Sequence, residues 1–368
     1  MPFAKRLLKS LIARLVAAFA PLLAPVFRRV AAAEIVQEAW QRSGCLLLPV
    51  GLVLDNTAIE RMAAALAPIV NQMARTGAGT DECLKRGALP LPVHYYSPVP
   101  DLKSLDARDV WTRRSDLPGI EFRLPDQLTF LRELGREFGE ECDWPSQPTG
   151  RSHEFYTENN TFSYSCAAPL HCLIRREKPR RIFEVGSGNS SLVISAALTR
   201  NAREQGAKPA EYTIVDPFPN ENVQGGLERL TNLVEQPVES LPLEFFSGLD
   251  HGDLLFIDSG HTVRMGGDVN FLFLEVLPRL RSGVIIHIHD IPLPGEYARV
   301  YATNPMFRVF WTEAYLLQAF LCYNSQFQVL LGMSEIMAQH RHVFREAYPH
   351  YDPERHLLTS QSFWMRRQ

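Results

Sequence analysis

The regular alternation of apolar runs and helical patterns after residue 166 constrains the fold more than any other feature. The first runs are almost continuous apolar residues, and helical patterns lie between them. Parallel strands that helices cover on both faces have this character. The sequence therefore predicts an α/β domain with a Rossmann-like sheet. Its strand-like runs cover residues 182–185, 212–215, 254–257, 284–288, 327–331 and 362–365.

The 368 residues divide into a basic amphipathic helix (1–33), an accessory region (34–150) and a catalytic domain (151–368). Prolines at positions 90, 92, 98 and 100 keep part of the accessory region extended, because proline lacks the amide hydrogen that a helix interior requires. We expect this accessory region to cover the substrate.

The amino-terminal segment differs in charge from the rest of the chain. Residues 1–30 carry six Lys and Arg and no acid. Its uncharged run, 15–27, is 13 residues long and contains Pro21 and Pro25, whereas a membrane span needs about 20 apolar residues. We expect no span. An interfacial helix on anionic lipid, a docking or oligomerisation helix and a secretory signal remain open. The favoured location is the cytoplasm, with peripheral contact at the inner membrane face.

The remaining charges argue against nucleic acid as a partner. Beyond residue 30 the chain has 32 basic and 41 acidic residues, whereas phosphate backbones are bound by clustered Lys and Arg. The six cysteines are irregularly spaced without a C-x-x-C pair, so neither a disulfide framework nor a zinc site is indicated. Cys166 and Cys172 are expected to be buried on an apolar helix.

The segment "FEVGSGNSS" predicts a ligand-binding turn after the first strand of the sheet. Gly186 and Gly188 expose bare backbone, and Ser190 and Ser191 are good helix N-caps. A phosphate loop would need a Lys after the second glycine, and a dinucleotide fingerprint would need glycine at position 191. Glu184 instead suits the cationic amino group and sulfonium of S-adenosylmethionine.

The next strand ends in "YTIVDP", which places Asp216 where a carboxylate can accept both ribose hydroxyls. Such a carboxylate suits NAD as well as S-adenosylmethionine. Asp216 therefore supports a nucleoside ligand without choosing between the two cofactors.

Several ordered sequence blocks resemble a bacterial branch of the class I S-adenosylmethionine-dependent methyltransferases. The blocks are "VHYYSPVPD" (93–101), "EVGSGNSSL" (184–192), "FIDSGHTVRMGGDVNFLFLEVLPRLRSGVIIHIHDIPLP" (256–294), "WTEAYLLQAFL" (311–321) and "SFWMRR" (362–367). The resemblance implies a seven-stranded sheet with an antiparallel last strand, and methyl transfer to a nucleophile. It implies a cofactor site formed by Glu184, Gly186, Ser187, Gly188, Ser190, Asp216 and Asp258.

Two carboxylates and two imidazoles follow the strands at 254–257 and 284–288. Asp258 and His261 end the first, and His289 and Asp290 end the second. Neighbouring parallel strands bring their carboxyl ends to one edge of a sheet, so we expect a catalytic cluster there. A hydroxyl acceptor must lose a proton as it attacks the methyl group, and His261 is the favoured general base.

The resemblance also suggests a metal ion. In related O-methyltransferases acids at the ends of these two strands hold Mg²⁺, and Asp258 and Asp290 match those positions. His289 stands where a second carboxylate or amide is expected, which disfavours the metal. The loop 292–297 departs from the family pattern and is expected to shape the acceptor pocket.

Other residues are weaker site candidates. His287 is expected in the core, and Asp268 is expected to cap a helix. An aromatic group that could close over the acceptor contains Tyr95, Tyr96, Trp311, Glu313 and Tyr315, with His94 nearby. A segment expected to cover the methionine end of the cofactor contains Tyr156, Asn159, Asn160 and Phe162.

The sequence thus favours an S-adenosylmethionine-dependent enzyme that methylates a hydroxyl of a sugar, glycan or small metabolite. Two alternatives remain. A NAD(P)-dependent or nucleotide-sugar oxidoreductase would use the same type of turn, and a non-catalytic protein on this fold would dock at a membrane or partner through its basic helix. Neither the acceptor nor the oligomeric state can be predicted from the sequence.

Overall fold

The computed structural model describes residues 46–47, 53–54, 56–205, 209–304, 308–356 and 360–368. The chain divides into two compact units, one up to Asp101 and one from Leu102 to Gln368. The predicted basic helix at 1–33 lies outside the described residues.

The first unit contains two short strands and two helices among its described residues. Its strands pair antiparallel, and its long helix agrees with the helical pattern of the sequence. Gly77 and Gly79 have φ of 72° and 77°, a region that glycine adopts without strain, and they separate the two helices. The elements are β1 (Leu46–Leu47), β2 (Val53–Leu54), α1 (Asn56–Thr76) and α2 (Thr80–Leu84).

The second unit contains a sheet whose strands alternate with helices. The strands are β3 (Arg181–Val185), β4 (Glu211–Val215), β5 (Asn232–Val234), β6 (Leu254–Ile257), β7 (Ile285–Ile288), β8 (Phe327–Gly332) and β9 (Phe363–Arg367). The helices are α3 (Leu102–Ala107), α4 (Leu124–Phe138), α5 (Tyr164–Glu177), α6 (Asn189–Gln205), α7 (Glu221–Gln224), α8 (Asp268–Phe271), α9 (Arg299–Thr303), α10 (Glu313–Leu321), α11 (Met333–Gln339) and α12 (Arg341–Ala347). Short 3₁₀ segments cover Val110–Thr112, Gly139–Glu141, Val238–Ser240, Leu243–Gly248 and Leu277–Arg279, and Leu272–Val276 is a π-helical turn.

The strand order is β5-β4-β3-β6-β7-β9-β8. Strands β3 to β7 are parallel to one another, and β9 runs antiparallel between β7 and β8. The predicted seven-stranded sheet with an antiparallel last strand is therefore confirmed. The sequence pattern missed β5. This three-residue edge strand has only exposed and half-buried side chains, so it leaves no apolar run.

Alternate residues along the strands pack into two hydrophobic cores, one on each face of the sheet. Ile182, Tyr212 and Trp364 belong to the core under α4, α5 and α6. Phe183 and Phe363 belong to the core on the opposite face, where the π-helical turn and α10 pack. Burial on both faces explains the continuous apolar runs of the sequence. Cys166 and Cys172 are buried on α5, as predicted.

The predicted boundary at residue 150 does not coincide with the structural division after Asp101. Leu131 and Leu134 of α4 are fully buried in the same core as the strands. A side chain at Gly135 would place its Cβ 2.3 Å from the carbonyl oxygen of Ala347, so α4 and α12 cross closely. The segment after Asp101 therefore belongs structurally with the sheet.

Within the part of the chain that the structure describes, no helix combines the length and the apolar character required to cross a membrane.

Candidate active site

The turn after β3 lies directly against the end of β6. Gly186 has φ of 84°, and a Cβ added there would lie 2.0 Å from the carbonyl oxygen of Asp258. Only glycine fits this position. A Cβ at Gly188 would meet only Asn220 Nδ2, at an ordinary 3.6 Å. The fold therefore requires glycine at position 186. At position 188 glycine leaves the half-buried backbone without a side chain over it.

Glu184 lies beneath this turn, fully buried. Its Oε1 accepts a hydrogen bond from Ser190 Oγ at 2.7 Å, and its Oε2 accepts one from Ser191 Oγ at 3.0 Å and another from the Tyr212 hydroxyl. Burial raises the pKa of Glu184 to about 7, against the effect of the three hydroxyl donors.

Glu184 and Ser190 pair with each other beneath the turn. Strand alternation turns the Glu184 side chain toward α6. Helix α6 begins at Asn189, so Ser190 and Ser191 lie inside its first turn and donate to Glu184 instead of acting as N-caps. The two side chains thus support the turn from below, and their part in cofactor binding stays a prediction.

Ser187 and Asp216 meet at the carboxyl edge of the sheet. Ser187 Oγ donates to Asp216 Oδ2 at 2.6 Å, and the Phe218 amide donates to Oδ1 at 2.8 Å. Both side chains of the Ser187–Asp216 pair are half-buried, while Phe218 is 88% exposed. A partly accessible carboxylate beside a bare glycine turn fits the ribose of a nucleoside cofactor.

The structure brings Asp258, His261 and Asp290 together, as the sequence predicted. His261 Nε2 lies 3.3 Å from Asp258 Oδ1 and 3.5 Å from Asp290 Oδ2. Burial lowers the pKa of His261, but the hydrogen bonds with Asp258 and Glu313 and their negative charges outweigh it and raise the pKa to about 10. In the free protein this imidazole is therefore protonated near neutral pH.

His289 lies on the other side of the same carboxylates. Its Nδ1 is 3.7 Å from Asp258 Oδ2 and 3.5 Å from Asp290 Oδ1, and the Phe162 ring stacks on it at 5.1 Å. Burial lowers the pKa of His289, but the Asp258 and Asp290 carboxylates raise it well above its ordinary value. His289 thus presents positive charge to both carboxylates.

Glu313 belongs to this cluster, and the sequence analysis did not assign it there. It begins α10, is fully buried, and its Oε2 lies 2.8 Å from His261 Nδ1. Burial raises the pKa of Glu313, against the effect of the imidazole. The available signal was a single acid in the otherwise uncharged helix "EAYLLQAFL", which the sequence analysis assigned only to the aromatic group.

Aromatic rings form one wall of the cluster. The Trp311 ring lies 4.6 Å from the His261 ring and 4.5 Å from the Tyr301 ring. Tyr297 accepts the Ala314 amide hydrogen at 2.9 Å. Of the predicted aromatic group, Trp311, Glu313 and Tyr315 belong to this unit, whereas His94, Tyr95 and Tyr96 contact one another in the first unit.

The segment before α5 is tied to the cofactor turn. Asn159 Oδ1 accepts from the Phe162 amide at 2.7 Å, and Asn189 Nδ2, at the start of α6, donates to Thr161 Oγ1 at 2.8 Å. Asn160 has φ of 63°. This position agrees with the prediction that residues 156–162 cover part of the cofactor, which stays a prediction.

Two further expectations have clear outcomes. His287 is fully buried, stacked at 4.1 Å on Phe256 and next to Trp364, so it is a core residue as predicted. The sequence suggested that Asp268 caps α8, and this prediction is wrong, because Gly267 is the N-cap residue. The Asp268 carboxylate accepts the Gly260 amide hydrogen and so fixes the loop that leads to His261.

The described residues contain one group with the spacing of a metal site. One donor atom each from Asp258, His261 and Asp290 lie within 4.8 Å of one another. Two carboxylates fit a hard divalent cation. The positive charge of His289 on the same carboxylates opposes a second cation.

Comparisons with known proteins find a family model, a sequence relative and a solved structure. Residues 183–291 match the sequence model of a methyltransferase domain family, Methyltransf_24. An uncharacterised protein of Archaeoglobus fulgidus is 31% identical over 166 residues, which cover 43% of this chain and 73% of that protein. The solved structure of the SAH-bound Podospora anserina methyltransferase PaMTH1 is 16% identical, with coverage of 73% of this chain and 97% of that one and a TM-score of 0.35.

This chain and the archaeal protein belong to one family, and residues 183–291 are a methyltransferase domain. The resemblance to methyltransferases seen in the sequence blocks is thereby confirmed. The family match begins within β3, so it includes the cofactor turn that follows this strand.

Proposed function

We propose that this methyltransferase acts on a hydroxyl oxygen of a sugar, glycan or small metabolite, with His261 as general base. The observation that supports this most directly is the position of His261 Nε2. It lies between the carboxylates of Asp258 and Asp290, and the backbone of Asp258 packs on the Gly186 turn. The proton acceptor and the cofactor turn therefore share one edge of the sheet.

S-adenosylmethionine supplies an electrophilic methyl carbon when it is bound. The hydroxyl oxygen forms a bond to that carbon as the carbon–sulfur bond breaks, and the bonding pair stays on sulfur. His261 Nε2 takes the hydroxyl proton, and Asp258 and Asp290 stabilise the resulting imidazolium. Trp311 packs on the ring and limits the access of water to it.

The cluster must release the His261 proton before it can act as a base. The carboxylates hold that proton in the free protein, and they are the same groups that raise the His261 pKa to about 10. A positive charge that enters the cluster favours the neutral imidazole, because like charges repel. We expect cofactor binding to prepare the base in this way.

A magnesium ion held by Asp258 and Asp290 is a further part of the proposal. Bound there, a divalent cation would lower the pKa of the acceptor hydroxyl. The two carboxylates support it, and the positive charge of His289 counts against it. Comparison of metal-depleted and Mg²⁺-supplemented protein decides between the two.

The experiment is methyl transfer from labelled S-adenosylmethionine to a panel of sugars and phenols, with amine analogues of the same compounds as matched controls. We expect label in methyl ethers, identified by mass spectrometry. Label only in the amines would contradict the O-methylation proposal. Equal rates with chelator and with added Mg²⁺ would contradict the metal site while leaving the base assignment intact.

Two further proposals concern the accessory region and the amino-terminal segment. Residues 34–150 would cover the acceptor, and residues 1–30 would contact an anionic membrane surface from the cytoplasm. Co-sedimentation of the full chain with anionic and with neutral vesicles tests the second point. Equal binding to both vesicle types, or none, would contradict it.

A further inference from the structure

We infer that Glu313 is a positioning residue for the catalytic base, and that the start of α10 holds the loop that carries His261. This inference rests on the proposed function, because it takes His261 as the proton acceptor. Glu313 acts through His261 and contacts neither of the two aspartates in the cluster by a hydrogen bond.

Four hydrogen bonds connect Thr312, the N-cap residue of α10, and Glu313, its first residue, to the loop after β6. The amides of Thr312 and Glu313 donate to the His261 carbonyl oxygen at 2.9 and 3.1 Å. The Val263 amide donates to Thr312 Oγ1 at 2.7 Å, and His261 Nδ1 donates to Glu313 Oε2 at 2.8 Å. Backbone and side chain of His261 are thus held by the same two residues.

The backbone of His261 needs this support. Its φ of 54° lies in the left-handed region, which is unfavourable for a non-glycine residue and persists where surrounding contacts enforce it. The two amide donors to its carbonyl oxygen are such contacts. Without them the loop would relax, and the imidazole would leave the space between the carboxylates.

The Glu313 carboxylate is placed by the imidazole alone among the described side chains. It is fully buried, and its second oxygen, Oε1, has no hydrogen-bond partner in the described part of the chain. A buried carboxylate is unfavourable unless it is paired. A residue needed only for packing would be more stable here as an apolar side chain, so the pairing with His261 explains why an acid occupies this position.

The pairing decides which ring nitrogen faces the acceptor. The Glu313 carboxylate occupies Nδ1, so Nε2 is the ring nitrogen that is directed at Asp258 and Asp290. The ring then keeps one orientation through the whole reaction.

The test uses the full chain with Glu313→Gln and Glu313→Asp, and Glu275→Gln as the control. Glu275 is an exposed acid of the π-helical turn that pairs with Arg279. Nitrogen-15 labelled histidine gives an NMR signal for the His261 Nδ1 proton, which the spectrum of His261→Ala identifies. This readout needs no acceptor.

We expect the Nδ1 proton signal in the parent protein and in Glu275→Gln, and its loss or displacement in Glu313→Gln, whose amide can donate to Nδ1 in its place. Glu313→Asp should recover a weakened signal, because its carboxylate is one methylene shorter. It also keeps the inference testable if Glu313→Gln does not fold. An unchanged signal in Glu313→Gln would overturn the inference.

Turnover of an acceptor found in the panel gives the second readout. Glu313→Gln should reduce kcat on the order of 10²- to 10⁴-fold, as loss of the orienting carboxylate does in catalytic triads, with little change in KM. Added to His261→Ala, it should cause no further loss. Full activity of His261→Ala would contradict the proposed base itself, whereas an inactive His261→Ala beside a fully active Glu313→Gln would contradict only the role of Glu313.

Discussion

Two buried glutamates lie on opposite sides of the active-site edge, and their partners differ in kind. Glu184, under the cofactor turn, uses both oxygens and bonds three neutral hydroxyl groups. Glu313, behind the base, uses one oxygen and bonds an imidazole that also faces two aspartates. Both side chains have no exposed surface.

The difference separates a scaffold from a reactive site. Hydroxyl donors satisfy the Glu184 carboxylate without providing a positive charge, so burial dominates its pKa and the group can be neutral. The Glu313 side instead contains opposite charges in contact, and their positions matter to any proton transfer. We expect substitutions on the cofactor side to change stability and affinity, and substitutions on the acceptor side to change turnover.

The largest expected effect is that of His261→Ala on turnover. Loss of the general base should reduce kcat roughly 10²- to 10⁴-fold. Affinity for S-adenosylhomocysteine, measured by calorimetry, should remain within about twofold of the parent value, since Asp216 and the glycine turn are untouched. A parallel loss of affinity and turnover would show that the two sides of the edge are not separable.

Gly186→Ala should cause the largest loss of stability, and Gly188→Ala is its matched control. The added methyl group of the first variant would overlap the Asp258 carbonyl oxygen at a positive φ. We expect the free energy of unfolding in urea to fall by about 3 kcal/mol or more. Gly188→Ala meets only an ordinary contact and should change it by less than about 1 kcal/mol. Similar losses in both variants would contradict the proposed packing of the turn on β6.

Glu184→Gln should change how stability depends on pH. The pKa of Glu184 is raised from 4.5 to about 7 in the folded protein, so its ionisation destabilises the fold as the pH rises through this window. Relative to the Gln variant, the parent should lose about 3 kcal/mol of unfolding free energy between pH 4.5 and pH 8, because each pKa unit corresponds to about 1.4 kcal/mol. Urea titrations at both pH values measure the difference. A constant difference would mean that the hydroxyl donors stabilise the charged form.

Asp216→Asn should have the smallest effect, and this effect should be confined to the affinity for the cofactor. The Asn oxygen can still accept the Phe218 amide hydrogen, and its Nδ2 can donate to Ser187 Oγ in place of the bond that Ser187 donates, so stability should change little. Affinity for S-adenosylhomocysteine should fall roughly tenfold, since hydrogen bonds to charged groups contribute about 1.5–3 kcal/mol. Glu221→Gln, at an exposed acid of α7, is the control. Unchanged affinity in Asp216→Asn would remove this carboxylate from the cofactor site.

The sequence was most informative where strand pattern alone decides position. Apolar runs located β3, β4, β6 and β7, and their common edge is sufficient to predict that Asp258, His261 and Asp290 lie together. The same alternation predicts that Glu184 shares a face with Ile182 and points toward a helix. The motif alone does not show this orientation, because it places the acid only by its spacing from the glycines.

Glu313 could not be located in this way. Its contact with His261 joins positions 52 residues apart, and the residues 291–311 that lead to it have no readable periodicity. Strand β5 was missed for a related reason: an edge strand with little burial leaves no apolar run in the sequence.

The position of β9 has a consequence for biosynthesis. Residues 363–367 leave the ribosome after every other strand, yet they lie between β7 and β8 in the sheet. Until they arrive, β8 has no neighbour in the sheet and β7, the strand that leads to His289 and Asp290, exposes an open edge that can pair with other chains. The pairing of β7 and β8 with β9 therefore joins residues that are distant in the sequence, and we expect the acceptor side of the active site to form late in folding.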